Sequence, residues 1–232
     1  MTGRDFDNTD MHRVYVWELP IRLTHWVLFA TIIVLSATGY YIGHPFIGVA
    51  GAAGDHFVMG MARAVHMYAA GVFVAAALVR FYWMFAGNKY ARLTELVPLS
   101  GRRLRSFFNA VFYYAFIRRE PDSYPGHNAM AGSSYVMIYT VYIVMTVTGL
   151  ILYAVGAAPG SPFRVFDSLA PLLFGLQMTR LIHHIGMWVI AVFVIMHLHF
   201  VLLSSLIERT GAYDSIFSGF KFVPGKPEAS RD

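Results

Sequence analysis

Cysteine is absent from all 232 residues, and the absence removes several redox chemistries at once: no disulfide, no cysteine-held iron–sulfur cluster and no C-x-x-C-H attachment of a c-type haem. Any redox cofactor must be held noncovalently, chiefly by histidine. Charge is also scarce, with Asp, Glu, Lys and Arg making up 13% of the chain where a soluble domain carries about a quarter. The formal net charge of +5 sits in particular connecting segments rather than along one face, which reads as a membrane topology signal and argues against a nucleic-acid partner. Apolar residues fill the gap at 57%. That is the composition of a membrane protein.

A helix needs about 20 largely apolar residues to span the hydrocarbon layer, and four stretches qualify: 24–43, 64–87, 132–158 and 181–207. The second contains Arg80, near enough to its end for the side chain to snorkel to the interface; the other three carry no Asp, Glu, Lys or Arg. The first run is followed by Tyr40, Tyr41 and His44 rather than a small-residue cleavage site, so it reads as a retained helix and not a signal peptide. Trp17, Trp26, Tyr40, Tyr41, Tyr82, Trp83 and Tyr153 gather near the span ends, as amphipathic rings do at a membrane boundary. The expected fold is an all-α membrane protein: one domain over 1–232, with four transmembrane helices in an up-down bundle.

Four spans put both termini on one side together with the connector at about 88–125, counted for charge from Arg80 at the end of the second span. That side carries all of the 18 Lys and Arg except Arg63, Arg164 and Arg180. The positive-inside rule then places both termini in the cytoplasm. Within the connector, 98–119 mixes Arg102, Arg103, Arg105, Arg118 and Arg119 with Phe107, Phe108, Phe112 and Tyr113, the pattern of an amphipathic helix lying on the membrane surface.

Ionisable groups at membrane depth are costly and point to function. Four of the ten histidines lie at or inside span ends: His25, His66, His183 and His197. Taken singly, each reads equally well as a hydrogen-bonded core residue. Their arrangement says more. His183 and His197 are separated by close to four helical turns, so they share a face and stand about 21 Å apart. His25 enters the membrane from the cytoplasmic side and His66 from the opposite side, which puts His25 at the depth of His197 and His66 at that of His183. Two bis-histidine iron sites stacked across the bilayer follow, and haem is the cofactor whose flat, apolar body fills a bundle interior between such ligands. His184 and His199 project away from the face of His183 and His197, so neither is expected to ligate and neither forms a chelating pair with its neighbour.

Arginine stands three positions before three of these histidines: Arg22 before His25, Arg63 before His66 and Arg180 before His183. This sets a guanidinium one turn nearer the interface, where a haem propionate seeks a cation; the plain alternative is an interfacial anchor. Gly39 lies on the face of His25, and Gly149 on that of Tyr135, where a porphyrin needs small residues; ordinary helix packing explains both as well.

Several segments match a known pattern in order: Arg22-Leu-Thr-His25-Trp26, Arg63-Ala-Val-His66, Gly87-Asn88-Lys89-Tyr90, Gly126-His127-Asn128, and His183-His184-Ile-Gly186-Met187-Trp188 leading to His197. Running from near residue 13 to about 207, they resemble the cytochrome b subunit family of membrane-bound nickel–iron hydrogenases. The resemblance implies two haem b groups with His25, His66, His183 and His197 as axial ligands, and carries no ligand role to His184. It further implies an electron-transfer subunit in a bacterial inner membrane. This subunit would take electrons from the iron–sulfur relay of a hydrogenase small subunit, and through it the large subunit, and pass them to quinone. Hydrogen oxidation itself would belong to the partner. The extracytoplasmic loops, roughly 44–62 and 159–179, would dock that partner. A quinone head group needs hydrogen-bonding side chains at the interface; Tyr124, His127, Asn128 and His199 qualify, although Asn128 capping a helix beside a solvated His127 is the simpler reading. The alternatives are a haem b subunit of a formate dehydrogenase or thiosulfate reductase, a free-standing cytochrome b, or, from another class, a transporter or structural anchor.

Overall fold

The structure is a computed structural model that describes residues 11–48, 57–93, 105, 108–109, 112, 117, 129–207 and 211–224. Its elements are β1 (Met11–Tyr15), α1 (Leu19–Gly43), α2 (Val58–Ala86), α3 (Ala129–Gly156), a 3-10 helix (Pro162–Leu173), α4 (Leu176–Ile207), α5 (Ala212–Ser218) and β2 (Phe220–Pro224). Among the described residues, α1 to α4 are the helices long and apolar enough to cross a membrane. The protein is thus a mostly helical, multi-pass membrane protein. Each of the four starts several residues before the corresponding apolar run. The hydrocarbon layer limits the run, whereas backbone hydrogen bonding continues through the interface, carrying Arg22, Arg63 and Arg180 within the first turns. The amphipathic reading of 98–119 and the candidates Tyr124, His127 and Asn128 lie outside the described residues, apart from single positions in the former.

Contacts divide the chain into two units. The first comprises residues 1–22, 82–136 and 196–232. Here β1 and β2 pair antiparallel, with Arg13 opposite Phe222 and Tyr15 opposite Phe220. A two-stranded sheet is marginal by itself, and side chains fasten this one. The Arg13 guanidinium lies 3.7 Å from the Phe220 ring centre, and Trp17 Nε1 donates to Ser215 Oγ at 3.0 Å. Gly219 turns the chain between α5 and β2 at φ 86°. A Cβ there would lie 2.6 Å from the Tyr15 ring, so both conformation and space require glycine. Glu18 accepts from Trp83 Nε1 and from the Asn88 backbone N–H, each at 2.9 Å, while Asn88 Nδ2 donates to the Val16 carbonyl. The Gly87-Asn88 segment is therefore a clamp between the chain before α1 and the end of α2.

The second unit comprises Leu23–Phe81 and Met137–Ile195. Its interior is built from Leu28, Ile32, Phe73, Ala76, Ala77, Ile138, Tyr139, Tyr142, Ile151, Ala154 and Ile190, all buried. Leu23, Ile33, Tyr68, Leu78, Ile143, Val192 and Ile195 are exposed. In water such a surface would be an aggregation hazard; against lipid tails it is the expected outer face, because the helices satisfy their own backbone groups. The 3-10 helix is capped by Ser161, whose side chain accepts from the Phe163 N–H, and ends at Phe174 in the left-handed region at φ 59°.

Candidate functional site

His66 on α2 and His183 on α4 come together in the second unit, with ring centres 6.5 Å apart and planes at 63°. A metal–nitrogen bond of about 2 Å on each side, with about 1 Å from each nitrogen to its ring centre, makes about 6 Å for two imidazoles gripping one metal ion. The spacing fits one ion between them, and the tilt excludes face-to-face stacking.

Two threonines hold these rings. Thr38 Oγ1 lies 2.8 Å from His66 Nδ1, and Thr148 Oγ1 lies 2.8 Å from His183 Nδ1. Each hydroxyl also donates to its own helix, Thr38 to the Val34 carbonyl and Thr148 to the Val144 carbonyl, both at 2.7 Å. A hydroxyl has a single proton, so with it committed to a carbonyl the oxygen accepts from the imidazole. Nδ1 therefore carries the hydrogen and Nε2 keeps its lone pair. That is the tautomer a ligating histidine needs, fixed through its second nitrogen in the usual way of metal-binding imidazoles. The Leu35 carbonyl is a further hydrogen-bond partner of His66.

The residue after each threonine is glycine, and it supplies the seat. A Cβ on Gly39 would lie 3.2 Å from His66 Cε1, and one on Gly149 3.4 Å from His183 Cε1. The two glycines thus receive the imidazoles, a closer reason for their small size than the approach of a porphyrin. Thr-Gly inside an apolar span, at Thr38-Gly39 and Thr148-Gly149 but not at Thr2-Gly3 or Thr210-Gly211, is the sequence signal that the histidine pattern alone misses.

The remaining candidates are placed as follows. His25 is half-buried on α1, its ring edge-on to Trp26 at 5.3 Å. His197 is half-buried on α4 in the first unit, and His199 is exposed beside Phe200. His184 turns from His183 toward the end of α1: it accepts at Nε2 from Trp188 Nε1 at 3.2 Å and lies 5.5 Å from His44. Arg22 donates through Nη1 to the Phe217 carbonyl, with its Nε buried and lacking an acceptor among the described residues. Arg63 is exposed, and Arg180 is exposed with Gln177 Oε1 at 3.4 Å.

Arg80 differs from its sequence reading. It does not snorkel: it is 6% exposed, with its guanidinium carbon 5.8 Å from the centre of the Tyr139 ring. Distance from the span end suggested the interface; the helix face decides otherwise.

A pair of tautomer-fixed histidines inside a four-helix membrane bundle is the arrangement of a haem protein, and the family comparison agrees. The model for prokaryotic cytochrome b561 matches residues 16–219. The chain belongs to that family. Among similar proteins, a probable Ni/Fe-hydrogenase B-type cytochrome subunit of Rhizobium leguminosarum bv. viciae is 37% identical over 210 residues, covering 89% of this chain and 87% of its own. The subunit of the same description from Azotobacter vinelandii is 35% identical over 219 residues, covering 93% and 91%. The probable Ni/Fe-hydrogenase 1 B-type cytochrome subunit of Escherichia coli (strain K12) is 32% identical over 222 residues, covering 93% and 92%. The likeness runs across nearly all of this cytochrome b561 chain, both units included.

Proposed function

We propose that this cytochrome b561 protein is the dihaem electron-transfer subunit of a membrane-bound nickel–iron hydrogenase. The observation that carries the reading is the His66/His183 pair, two imidazoles at a spacing that fits one metal ion, each with Nδ1 tied to a threonine and Nε2 left to bind. His25 and His197 are the proposed second pair. Haem b bound at these residues supplies reversible one-electron transfer. The chain's own contribution is to fix ring orientation and to keep the interior apolar between the two levels, where Phe73 meets Tyr142 at 4.9 Å.

The names of the relatives support a hydrogenase partner, and the small subunit with its iron–sulfur relay is the component we propose to dock. The surface it would meet is extracytoplasmic, on the side of His66 and His183. There the 3-10 helix leaves Phe163, Val165, Leu172 and Phe174 exposed, Phe174 at 89%. Lys and Arg asymmetry supports cytoplasmic termini in a bacterial inner membrane. Quinone would then be reduced at the cytoplasmic end, with His127, Asn128, Tyr124 and His199 as candidate contacts. Hydrogen oxidation belongs to the partner.

The test is stoichiometry followed by reduction. Purified with its partner, the chain is expected to give two haems b per polypeptide by pyridine haemochrome, both reduced by hydrogen and reoxidised by quinone. One haem, or reduction by hydrogen in membranes lacking the partner, would refute the corresponding part. Absence of haem absorbance would instead favour a transporter or anchor.

A further inference from the structure

The least explained group in the interior is Arg80. Its side chain is 94% buried by the exposure of 6%, and its Nη1 is buried without a hydrogen-bond partner among the described residues. The neighbour that orients it is Tyr139, through ring and hydrogen bond. Removing a guanidinium from water is costly, and a cation over an aromatic ring recovers only part of that cost. Among the described residues the membrane-crossing helices offer no carboxylate to neutralise it, because α1, α2, α3 and α4 contain no Asp or Glu, and Glu18, just before α1, is engaged by Trp83 and Asn88. A buried cation in an acid-free bundle calls for an anion carried by a ligand.

Helix geometry places that anion. At one level, α1 and α2 touch where Gly39 seats His66. His25 precedes Gly39 by 14 residues, and Arg80 follows His66 by 14. Consecutive membrane-crossing helices run in opposite directions, so both steps lead the same way, about 21 Å and close to four turns. They keep the face. Arg80 therefore stands at the depth of His25 and on the interior side of α2, as His66 does at the other level. One heptad before Arg80, Phe73 meets Tyr142, and Arg80 itself meets Tyr139, on the same neighbouring helix.

We propose that Arg80, steered by Tyr139, is the internal counter-cation for a haem propionate at the His25 level. The proposal rests on the haem reading above and extends it. An arginine fork pairs with a carboxylate by two parallel hydrogen bonds, which would occupy the orphaned Nη1. A positive charge fixed beside a haem favours its reduced, more negative state, so Arg80 also raises the midpoint potential of that haem.

The test uses the full complex in detergent, with both haems counted first. In Arg80→Gln, redox titration is expected to show one b haem shifted to lower potential and the other unmoved. Arg80→Lys keeps the charge but not the fork. It is expected to restore most of the potential while shifting the redox-difference infrared bands of carbon-13-labelled propionates. Wild-type potentials for both haems in Arg80→Gln would overturn the proposal. Should that variant not accumulate, unshifted propionate bands in Arg80→Lys would overturn it equally and leave Arg80 to a lipid phosphate or another anion. A wild-type chain without two haems would refute the haem reading itself, an outcome separate from either Arg80 result.

Discussion

Replacing Thr148 with valine exchanges one hydroxyl for a methyl and leaves the branched shape of the side chain, so its effect isolates the bond to His183. Thr148 is 1% exposed, which leaves no room for water to take over the acceptor role. In the variant the Nδ1–H of His183 stays buried without a partner, at a cost of about 1–3 kcal/mol. At about 1.4 kcal/mol per factor of ten, that weakens haem retention by roughly five- to 150-fold, in line with the 10–100-fold typical of losing the group that orients a metal-binding histidine. Thr38→Val should do less. Thr38 is only half-buried, and the Leu35 carbonyl remains a partner for His66. Thr146→Val is the control, because its hydroxyl bonds the Tyr142 carbonyl of its own helix at 2.8 Å. The assay is haem per polypeptide by pyridine haemochrome, with the rate of haem loss to an apo-haemoprotein scavenger. The reasoning fails if Thr148→Val holds haem as tightly as the wild type, or if Thr38→Val is the weaker binder of the two.

Three further outcomes are expected. Gly39→Ala forces a Cβ to 3.2 Å from the His66 ring and should lower haem content, whereas Gly149→Ala, at 3.4 Å from His183, is close to ordinary contact and should be milder; equal haem content in both would remove the seat argument. His184→Ala should leave haem content unchanged, since its Nε2 is engaged by Trp188, and a loss of haem absorbance would show that it ligates after all. Glu18→Ala leaves the Trp83 and Asn88 donors without their carboxylate and should cost about 1–3 kcal/mol, read as a lower thermal midpoint with haem content unchanged; an unaltered midpoint would mean that solvent replaces the clamp.

The membrane spans were legible because burial in lipid demands about 20 apolar residues in a row, and nothing local blurs that signal. Their ends were less so: α2 and α4 begin five or six residues before the runs at 64 and 181, in an interface that tolerates both polar side chains and helix. The depth argument puts His66 and His183 at one level, and the structure has them facing one another. What holds the rings is a different kind of information. Thr38 and Thr148 lie on other helices, 28 and 35 residues away, and threonine in a membrane helix ordinarily bonds its own backbone. The burial of Arg80 is not legible from its distance to the span end, which carries no information about helix face. The β1–β2 pairing joins Tyr15 to Phe220, a separation over which a five-residue alternating pattern carries no register.

The Thr-Gly dipeptides of α1 and α3 show why the site tolerates no simple reading from ligands alone. Each histidine of the pair arrives on the second helix of a sequential helix pair, His66 on α2 and His183 on α4, and each is met by the helix just before it, α1 and α3. Thr fixes the proton and Gly makes room, so the contacts that orient each ligand come from its own helix pair. Such a division makes a sharp demand on mutants. Damage to Thr38 or Gly39 should disturb His66 without altering the tautomer of His183, and damage to Thr148 or Gly149 should do the reverse. A double variant across the pairs, Thr38→Val with Thr148→Val, should therefore weaken haem binding by close to the sum of the single effects in free energy. Strong non-additivity in that cycle would mean that the rings are positioned by one another, or by the haem, and not by the helices that seat them.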